Sequence, residues 1–142
     1  MHGLDYIQEE DAGTWLLKAI PQRPPFRFID NILELDERHV LGSYRYHEDE
    51  FFYSGHFPGY PVTPSVILIE TMMQGGIAFA AFINGTVTGE QSMAVPILTC
   101  VEEAEFFSPV YPGDRVLVRG EKIYFRNHHM KIGTAMFTAE GQ

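Results

Sequence analysis

The sequence predicts an α+β domain in which an antiparallel sheet curls around one long buried helix. First, the apolar residues of the run Pro64–Ile83 cover nearly the whole circumference of a helix, which marks that helix as buried. Second, several segments before and after this run have the β-branched and aromatic content of strands. Third, no internal repeat or linker interrupts the 142 residues, so residues 1–142 are interpreted as one domain.

The N-terminal part is predicted to form a short helix followed by a hairpin. Thr14–Ile20 has a helical pattern, and the proline that follows it closes the helix. Phe26–Leu35 and Val40–Tyr46 are candidate strands, and the polar residues 36–38 form a turn between them. Glu48–Val62 is rich in glycine, proline and aromatic residues, so it is predicted to be a loop.

The long helix has a recognisable beginning. Thr63 can cap it, and Pro64 suits the first helical position because its missing N–H would be unbonded there in any case. The helix is about as long as a membrane span, which is the alternative interpretation. Glu70, Gln74 and the lack of flanking Lys or Arg anchors oppose that alternative. We therefore predict a core helix and no membrane association.

Three long segments in the second half of the chain are predicted strands: Ala94–Phe106, Arg115–Phe125 and Met130–Ala139. Turns are expected between them at residues 112–114 (Pro-Gly-Asp) and 127–129 (Asn-His-His). The last three residues have the character of a turn that leads into a further strand. We therefore expect the C-terminal strand of the domain to be truncated.

Composition excludes several classes of function. Hydrophobic residues make up 45% and charged residues 20% of the chain, as in ordinary globular proteins. The net charge of -9 argues against binding to nucleic acids or to anionic membranes, which both need a basic surface. A single cysteine, Cys100, excludes an internal disulfide and any multi-cysteine metal site, and it is expected to be a small core residue. The polar, acidic stretch Met1–Glu10 is not a signal peptide, so a cytoplasmic location is expected.

The chemistry is predicted to lie where the loop at residues 54–64 meets the long helix. Glycine and proline residues fix the path of this loop and therefore the position of His56, whose ordinary pKa near neutrality suits a general base. Glu70 is the only charge within the apolar helix, and burial would adapt it to act as a general acid. The first helical N–H groups, of Ser65 and Val66, can stabilise negative charge on an oxygen. A base, an acid and an oxyanion site suit proton abstraction beside a carbonyl with loss of a β-leaving group.

Simpler explanations exist for these two residues, and the other histidines show no site pattern. A loop histidine is often a surface residue, and a buried glutamate can be held by a structural hydrogen bond. His128 and His129 lie in a predicted turn without a third ligand, which favours a solvated turn over a metal site. His39 and His47 lie on or beside strand edges without partners in the pattern. No metal site, phosphate-binding loop or serine-hydrolase motif is predicted.

Three motifs resemble those of one enzyme family. Residues 55–74, GHFPGYPVTPSVILIETMMQ, resemble the signature of the FabZ-type (3R)-hydroxyacyl-acyl-carrier-protein dehydratases and of the related FabA-type enzymes. Residues 21–26, followed by an Ile-Asp pair, are similar to the family's N-terminal segment, although Gln22 stands in place of its usual histidine. Residues 108–114 resemble its Pro-Val turn, although Phe107 and Ser108 replace the usual basic residues. The motifs occur in the family's order and spacing.

The resemblance implies a hotdog fold and a specific active site. Members of the family form dimers by joining two sheets edge to edge, sometimes three dimers together, with each apolar tunnel at a dimer interface. By position, His56 matches the catalytic histidine of one protomer and Glu70 the catalytic acid of the other. The backbone carbonyl of Val62 matches the group that orients the imidazole, and the N–H of Ser65, where the family usually has glycine, matches the contact to the thioester oxygen. Gln74 follows the acid by one helical turn and can help to position groups at the site.

The predicted function is therefore the dehydration of 3-hydroxyacyl chains on an acyl carrier protein, in fatty-acid synthesis or a related polyene or polyketide pathway. A glutamate at position 70 resembles the FabZ type more than the isomerising FabA type. Gly55, Phe57 and Tyr60 are expected to bind substrate, although the aromatic residues of this loop could equally form an ordinary core cluster. No cofactor is expected. The alternatives are a hotdog acyl thioesterase and a non-catalytic acyl-binding or assembly protein of the same fold.

Overall fold

The structure is a computed structural model that describes residues 9–88 and 95–139. In chain order its elements are α1 (Glu9–Ala19), β1 (Asn31–Leu35), β2 (His39–Arg45), α2 (Ser65–Thr88), β3 (Arg115–Arg126) and β4 (His129–Thr138). The strands form one antiparallel sheet in the order β1-β2-β3-β4. The long helix α2 packs across this sheet and against α1. The predicted α+β class with a central helix is confirmed.

Both predicted hairpins of the sheet are present. The first turn is closed by the Asp36 carboxylate, which accepts the backbone N–H groups of Arg38 at 2.7 Å and His39 at 2.8 Å. In the second turn, Asn127 and His128 have φ values of 51° and 59°. Asparagine and histidine adopt this left-handed conformation more readily than most residues, which explains why the chain reverses there.

The helix α2 lies at the centre of the core. An aromatic cluster packs against its N-terminal half, and its largest buried members are Phe28, Tyr44, Tyr46 and Tyr53. A second cluster joins its middle to α1 and includes Leu16, Ile20, Ile29, Ile77 and Ala81. Over Ser65–Gly85 the helix is long and apolar enough to cross a membrane by length and composition alone, and 56% of the apolar window is buried inside the fold. This is the environment of a core helix.

Buried hydroxyl groups pair within the loop before α2 and between that loop and the helix. Tyr46 and Thr71 share a hydrogen bond of 2.6 Å, as do Tyr53 and Thr63. Burial raises the pKa of Tyr53 to about 12, so the hydroxyl groups of Tyr53 and Thr63 are both neutral in this bond. The predicted capping role of Thr63 is therefore wrong: its hydroxyl pairs with Tyr53 instead of the first helical N–H groups.

The predicted strand Ala94–Phe106 is not formed. Ala94 lies outside the described residues, and residues 95–106 have no regular secondary structure and are almost entirely exposed. Their large apolar side chains include Val95, Ile97, Leu98, Val101 and Phe106. A strand needs a neighbour for its backbone N–H and C=O groups, and none of the described strands pairs with this segment. Strand-like composition alone did not distinguish an extended segment from a paired strand.

The predicted strand Phe26–Leu35 is also shorter than expected, because β1 begins only at Asn31. The backbone of Phe26 and Phe28 is bound by the side chain of Gln74 rather than by a strand. These first residues therefore belong to the surroundings of the helix and not to the sheet ladder.

Two adjacent glycines of α2 are expected to respond differently to alanine. A Cβ atom on Gly75 would lie 3.5 Å from Val118 Cγ1, an ordinary contact, whereas one on Gly76 would lie 2.8 Å from Ile132 Cδ1. Alanine within a helix is more stable than glycine by about 0.5–1 kcal/mol. We expect Gly75→Ala to raise the midpoint of thermal unfolding and Gly76→Ala to raise it less or lower it, because Ile132 must move. A higher unfolding midpoint for Gly76→Ala than for Gly75→Ala would contradict this packing.

The His39 side chain gives the β1–β2 hairpin a pH-dependent stability. Its Nε2 lies 2.9 Å from Glu34 Oε2 and its Nδ1 2.9 Å from Asp36 Oδ2. The hydrogen bond to Glu34, aided by Asp36, raises the pKa of His39 above 6.5. This contribution to stability is fully present below the unfolded-state pKa and is lost as pH rises through the raised folded-state value.

We therefore expect His39→Gln to destabilise the protein at about pH 5.5 and to have little effect at about pH 8.5. Urea unfolding at both pH values would measure the difference. The matched control is His129→Gln, because His129 is an exposed histidine on β4. An equal loss for His39→Gln at both pH values would contradict the assignment.

Candidate active site

The loop that carries His56 is folded by its own backbone. Phe57 and Tyr60 exchange two hydrogen bonds, N–H to carbonyl, at 3.0 Å and 2.9 Å, and the N–H of Val62 donates to the carbonyl of His56 at 3.0 Å. Gly59 has a φ of 76°, which glycine adopts without strain. The peptide bond between His56 and Phe57 is cis. The glycine- and proline-rich sequence thus holds the histidine in one place, as predicted.

The imidazole of His56 is oriented by a single hydrogen bond. Its Nδ1 lies 2.9 Å from the carbonyl oxygen of Val62. A carbonyl only accepts, so Nδ1 carries the proton and Nε2 has a lone pair available for a proton from elsewhere. The ring of Phe57 stacks on the imidazole with a centroid distance of 4.1 Å and an interplanar angle of 24°. The half-buried histidine can therefore act as a base through Nε2.

The N-terminus of α2 lies at the end of the same loop. The N–H of Thr63 donates to the carbonyl of Val110 at 2.8 Å, and the carbonyl of Pro64 accepts the N–H groups of Ile67 and Leu68. The N–H of Ser65 has no acceptor within the described residues, as is usual for the first turn of a helix without a cap. An unbonded N–H at a helix N-terminus can bind an oxygen that develops negative charge.

A cavity of about 220 Å³ opens at this helix end. Its lining combines the start of α2 with the segment before the Pro-Val turn, and consists of Thr63, Ser65, Leu68, Phe106, Phe107, Ser108 and Pro109. The lining side chains are apolar or aromatic, and their only polar groups are the hydroxyls of Thr63, Ser65 and Ser108. This lining is suited to an uncharged group such as a thioester.

The carboxylate of Glu70 is held by two side-chain amides. Gln74 Nε2 donates to Glu70 Oε1 at 2.9 Å, and Gln22 Nε2 donates to the same oxygen at 3.1 Å. The fully buried Gln74 is itself fixed by the backbone: its Oε1 accepts the N–H of Phe28 at 2.6 Å, and its Nε2 also donates to the carbonyl of Phe26 at 3.0 Å. Glu70 Oε2 accepts no hydrogen bond from any described residue, so this oxygen can exchange a proton.

The two predicted catalytic residues do not contact each other within one chain. No hydrogen bond or ion pair joins His56 to Glu70 in residues 9–88 and 95–139. His56 is bound to its own loop, whereas Glu70 is bound to Gln22 and to α2. One protomer therefore presents a base with an adjacent helix N-terminus and, separately, an acid.

The other predicted residues are divided between surface and core. Gly55, Phe57 and Tyr60 are exposed, and the hydroxyl groups of Tyr60 and Tyr111 lie 3.3 Å apart. Of the neighbouring aromatic residues, Phe52 and Tyr53 belong to the aromatic core cluster, so the core alternative holds for these two. Cys100 is exposed rather than a core residue, because the segment around it is not covered by the described sheet.

The remaining histidines show no sign of metal binding. His128 and His129 are exposed in the β3–β4 turn, and the described residues contain no cluster of three ligands able to hold a metal ion. Gln22 was missed as a partner of Glu70. Its position 48 residues away gives no local spacing signal, and the only sequence clue was its place in the N-terminal motif.

Comparisons with known proteins give a consistent result. A family model described as a FabA-like domain matches residues 20–142. The 3-hydroxyacyl-[acyl-carrier-protein] dehydratase FabZ of Thermus thermophilus is 38% identical over 117 residues, which cover 82% of this chain and 80% of that protein. The proteins of the same name from Hydrogenobaculum sp. and Koribacter versatilis are 36% and 30% identical, over 84% and 89% of this chain and 80% of each relative. The resemblance seen in the motifs is confirmed, and with it the hotdog class of the fold.

Proposed function

Because this chain belongs to the FabA-like family, we propose that it dehydrates (3R)-3-hydroxyacyl thioesters of an acyl carrier protein to trans-2-enoyl thioesters in fatty-acid synthesis. The observation that carries the proposal is the hydrogen bond from His56 Nδ1 to the carbonyl of Val62, which leaves Nε2 as a base. A carboxylate with one free oxygen supplies the complementary acid. The reaction needs both.

The proposed chemistry assigns one step to each group. His56 Nε2 removes a proton from C2 of the thioester, and the N–H of Ser65 stabilises the negative charge that develops on the thioester oxygen. The electron pair from C2 forms the double bond to C3, the C3–O bond breaks, and Glu70 Oε2 gives a proton to the departing hydroxyl. Water and the enoyl thioester are the products. The same groups hydrate the alkene in the reverse direction.

We further propose that each site is shared between two protomers of a homodimer. Since His56 and Glu70 do not contact each other within one chain, the base of one protomer would work with Glu70 of the partner subunit. The exposed apolar segment at residues 95–106 supports a dimer, because side chains such as Ile97 and Val101 would be covered there. A trimer of such dimers is compatible with the same pairing.

We propose that the substrate carrier is an acyl carrier protein that docks beside β3 and β4. Five cationic side chains lie there: Arg115, Arg119, Lys122, Arg126 and Lys131. Two of them are ion-paired, Arg119 with Glu121 at 3.3 Å and Lys131 with Glu102 at 2.8 Å. Attraction for an acidic carrier would therefore be modest and sensitive to salt.

The free cysteine Cys100 supports a reducing compartment, and we propose that the reaction takes place in the cytoplasm.

The decisive experiment is to follow the ultraviolet absorbance of enoyl thioesters of increasing chain length, on acyl carrier protein and on coenzyme A. Loss of absorbance with formation of the 3-hydroxyacyl thioester is expected. Release of free thiol would instead identify a thioesterase, and binding without turnover would identify an acyl-binding protein. A preference for the carrier protein that decreases with salt would support the docking surface.

A further inference from the structure

An unpartnered buried oxygen lies beside the acid. Gln22 uses its Nε2 to donate to Glu70, but its Oε1 is inaccessible to solvent and has no hydrogen-bond partner within the described residues. A buried acceptor without a donor costs about 1–3 kcal/mol. A buried unsatisfied group in a native fold needs an explanation, and a donor that arrives with a ligand is one such explanation.

The chain around Gln22 is fixed by its own hydrogen bonds. The Arg23 guanidinium donates to the carbonyl of Ile20 and, at 3.0 Å, to that of Gln22. The N–H of Phe26 donates to the carbonyl of Arg23 at 2.8 Å, and Arg27 donates to the carbonyl of Leu17 on α1 at 2.7 Å. The segment holds the amide of Gln22 against Glu70, where rotation into solvent would break the contact with the acid.

The hydrogen bonds also distinguish the two carboxylate oxygens. Glu70 Oε1 already accepts N–H groups from Gln22 and Gln74, so the transferable proton belongs on Oε2. The oxygen and nitrogen of an amide share one carbon, so Gln22 Oε1 lies within a few ångströms of the same carboxylate. The unused acceptor of Gln22 and the free oxygen of Glu70 therefore lie close together, and with a proton on that oxygen the two groups complement a hydroxyl group.

We propose that Gln22 binds the C3 hydroxyl of the substrate, an inference that rests on the proposed dehydratase function. The hydroxyl donates its own hydrogen to Gln22 Oε1 and receives the proton of Glu70 Oε2 on its oxygen. The C3–O bond then breaks, its electron pair leaves with the oxygen, and water is released. In hydration, Gln22 holds the attacking water. Two contacts on one oxygen, together with removal of the C2 proton by His56, select one configuration at C3.

The test compares two ligands of equal chain length, a 3-hydroxyacyl thioester and a saturated acyl thioester without the hydroxyl. Gln22→Met removes both polar groups at similar length, whereas Gln22→His keeps a donor and an acceptor. Both changes are made in the Glu70→Gln background, where turnover of the hydroxyacyl ligand is slowed about 10³-fold and the acidic proton of Glu70 is absent. We expect Gln22→Met to weaken binding of the hydroxyacyl ligand about tenfold, to leave the saturated ligand unchanged, and Gln22→His to restore much of the loss.

Each other outcome overturns the inference in a recognisable way. Equal weakening of both ligands would mean that Gln22 only shapes the pocket. An unchanged affinity for both ligands in the Glu70→Gln background would mean that Gln22 acts solely by orienting the acid. Thermal unfolding of each variant identifies a loss of fold, and Gln22→His then provides the folded comparison. If the wild-type protein does not hydrate enoyl thioesters, the proposed function fails first, whereas an active protein with an unchanged ligand preference contradicts only the role of Gln22.

Discussion

His56→Ala is expected to lower kcat for enoyl-thioester hydration about 10³-fold, and Glu70→Gln by a similar factor, without loss of the fold. The first change removes the base whose Nε2 is left free by the bond to Val62. The second removes the acidic proton but keeps the size of the side chain and one acceptor oxygen for Gln22 and Gln74. Steady-state kinetics together with thermal unfolding would measure both effects.

Mixing the two inactive variants tests whether the site is shared between protomers. A mixed dimer contains one site with both defects and one with neither, because each variant supplies the residue that the other lacks. Equal mixing with random exchange gives about half mixed dimers, so about a quarter of the wild-type activity should return. Two nearly inactive variants are therefore expected to form an active mixture.

The controls separate exchange from catalysis. His129→Gln changes an exposed histidine outside the candidate active site and should leave kcat unchanged. His56→Ala should be mixed with a second preparation of itself, which must remain inactive. If subunit exchange is demonstrated, for example by differently tagged copies, and no activity returns, the shared site is wrong and both groups must work within one chain.

Local patterns predicted much of this fold. The apolar run after residue 63 became α2, and the turns predicted at residues 36–38 and 127–129 became the two hairpin turns, although β4 already begins at His129. These features depend on neighbouring residues in the sequence, so propensity and periodicity are sufficient to find them. The His56 loop belongs to the same group, because glycine and proline determine its backbone path locally.

The sequence-based predictions that were wrong have a common physical cause: partners distant in the sequence decide the local structure. Thr63 has the right residue type for a cap, but Tyr53 takes its hydroxyl. Phe26 and Phe28 have strand character, but Gln74 binds their backbone from 46 or more residues away. The segment at residues 95–106 is apolar enough for a strand but has no neighbour in the described sheet. A single sequence contains no local signal for any of these choices.

Gln74→Met is expected to reduce both stability and activity. Methionine preserves the length of the side chain but leaves the N–H of Phe28 and the carbonyl of Phe26 without their partner in the core. Each unsatisfied group costs about 1–3 kcal/mol, so the loss of two partners should lower the free energy of unfolding by about 2–6 kcal/mol. Glu70 also loses its shorter hydrogen bond, of 2.9 Å, and kcat should fall because the acid is no longer held in one orientation.

Urea unfolding and steady-state kinetics on the same preparations would measure this, with Met73→Leu as the matched control on the preceding residue. Met73 packs at the edge of the α1–α2 cluster and makes no hydrogen bond to the acid, so a substitution of similar volume should cost less than about 1.5 kcal/mol.

If Gln74→Met were as stable as Met73→Leu, the backbone groups of Phe26 and Phe28 would have other partners, and the role of Gln74 would be limited to its hydrogen bond with Glu70. If stability fell but kcat did not, Gln22 would be sufficient to orient the acid. A loss of both means that one buried amide connects the packing of the N-terminal segment to the chemistry of Glu70.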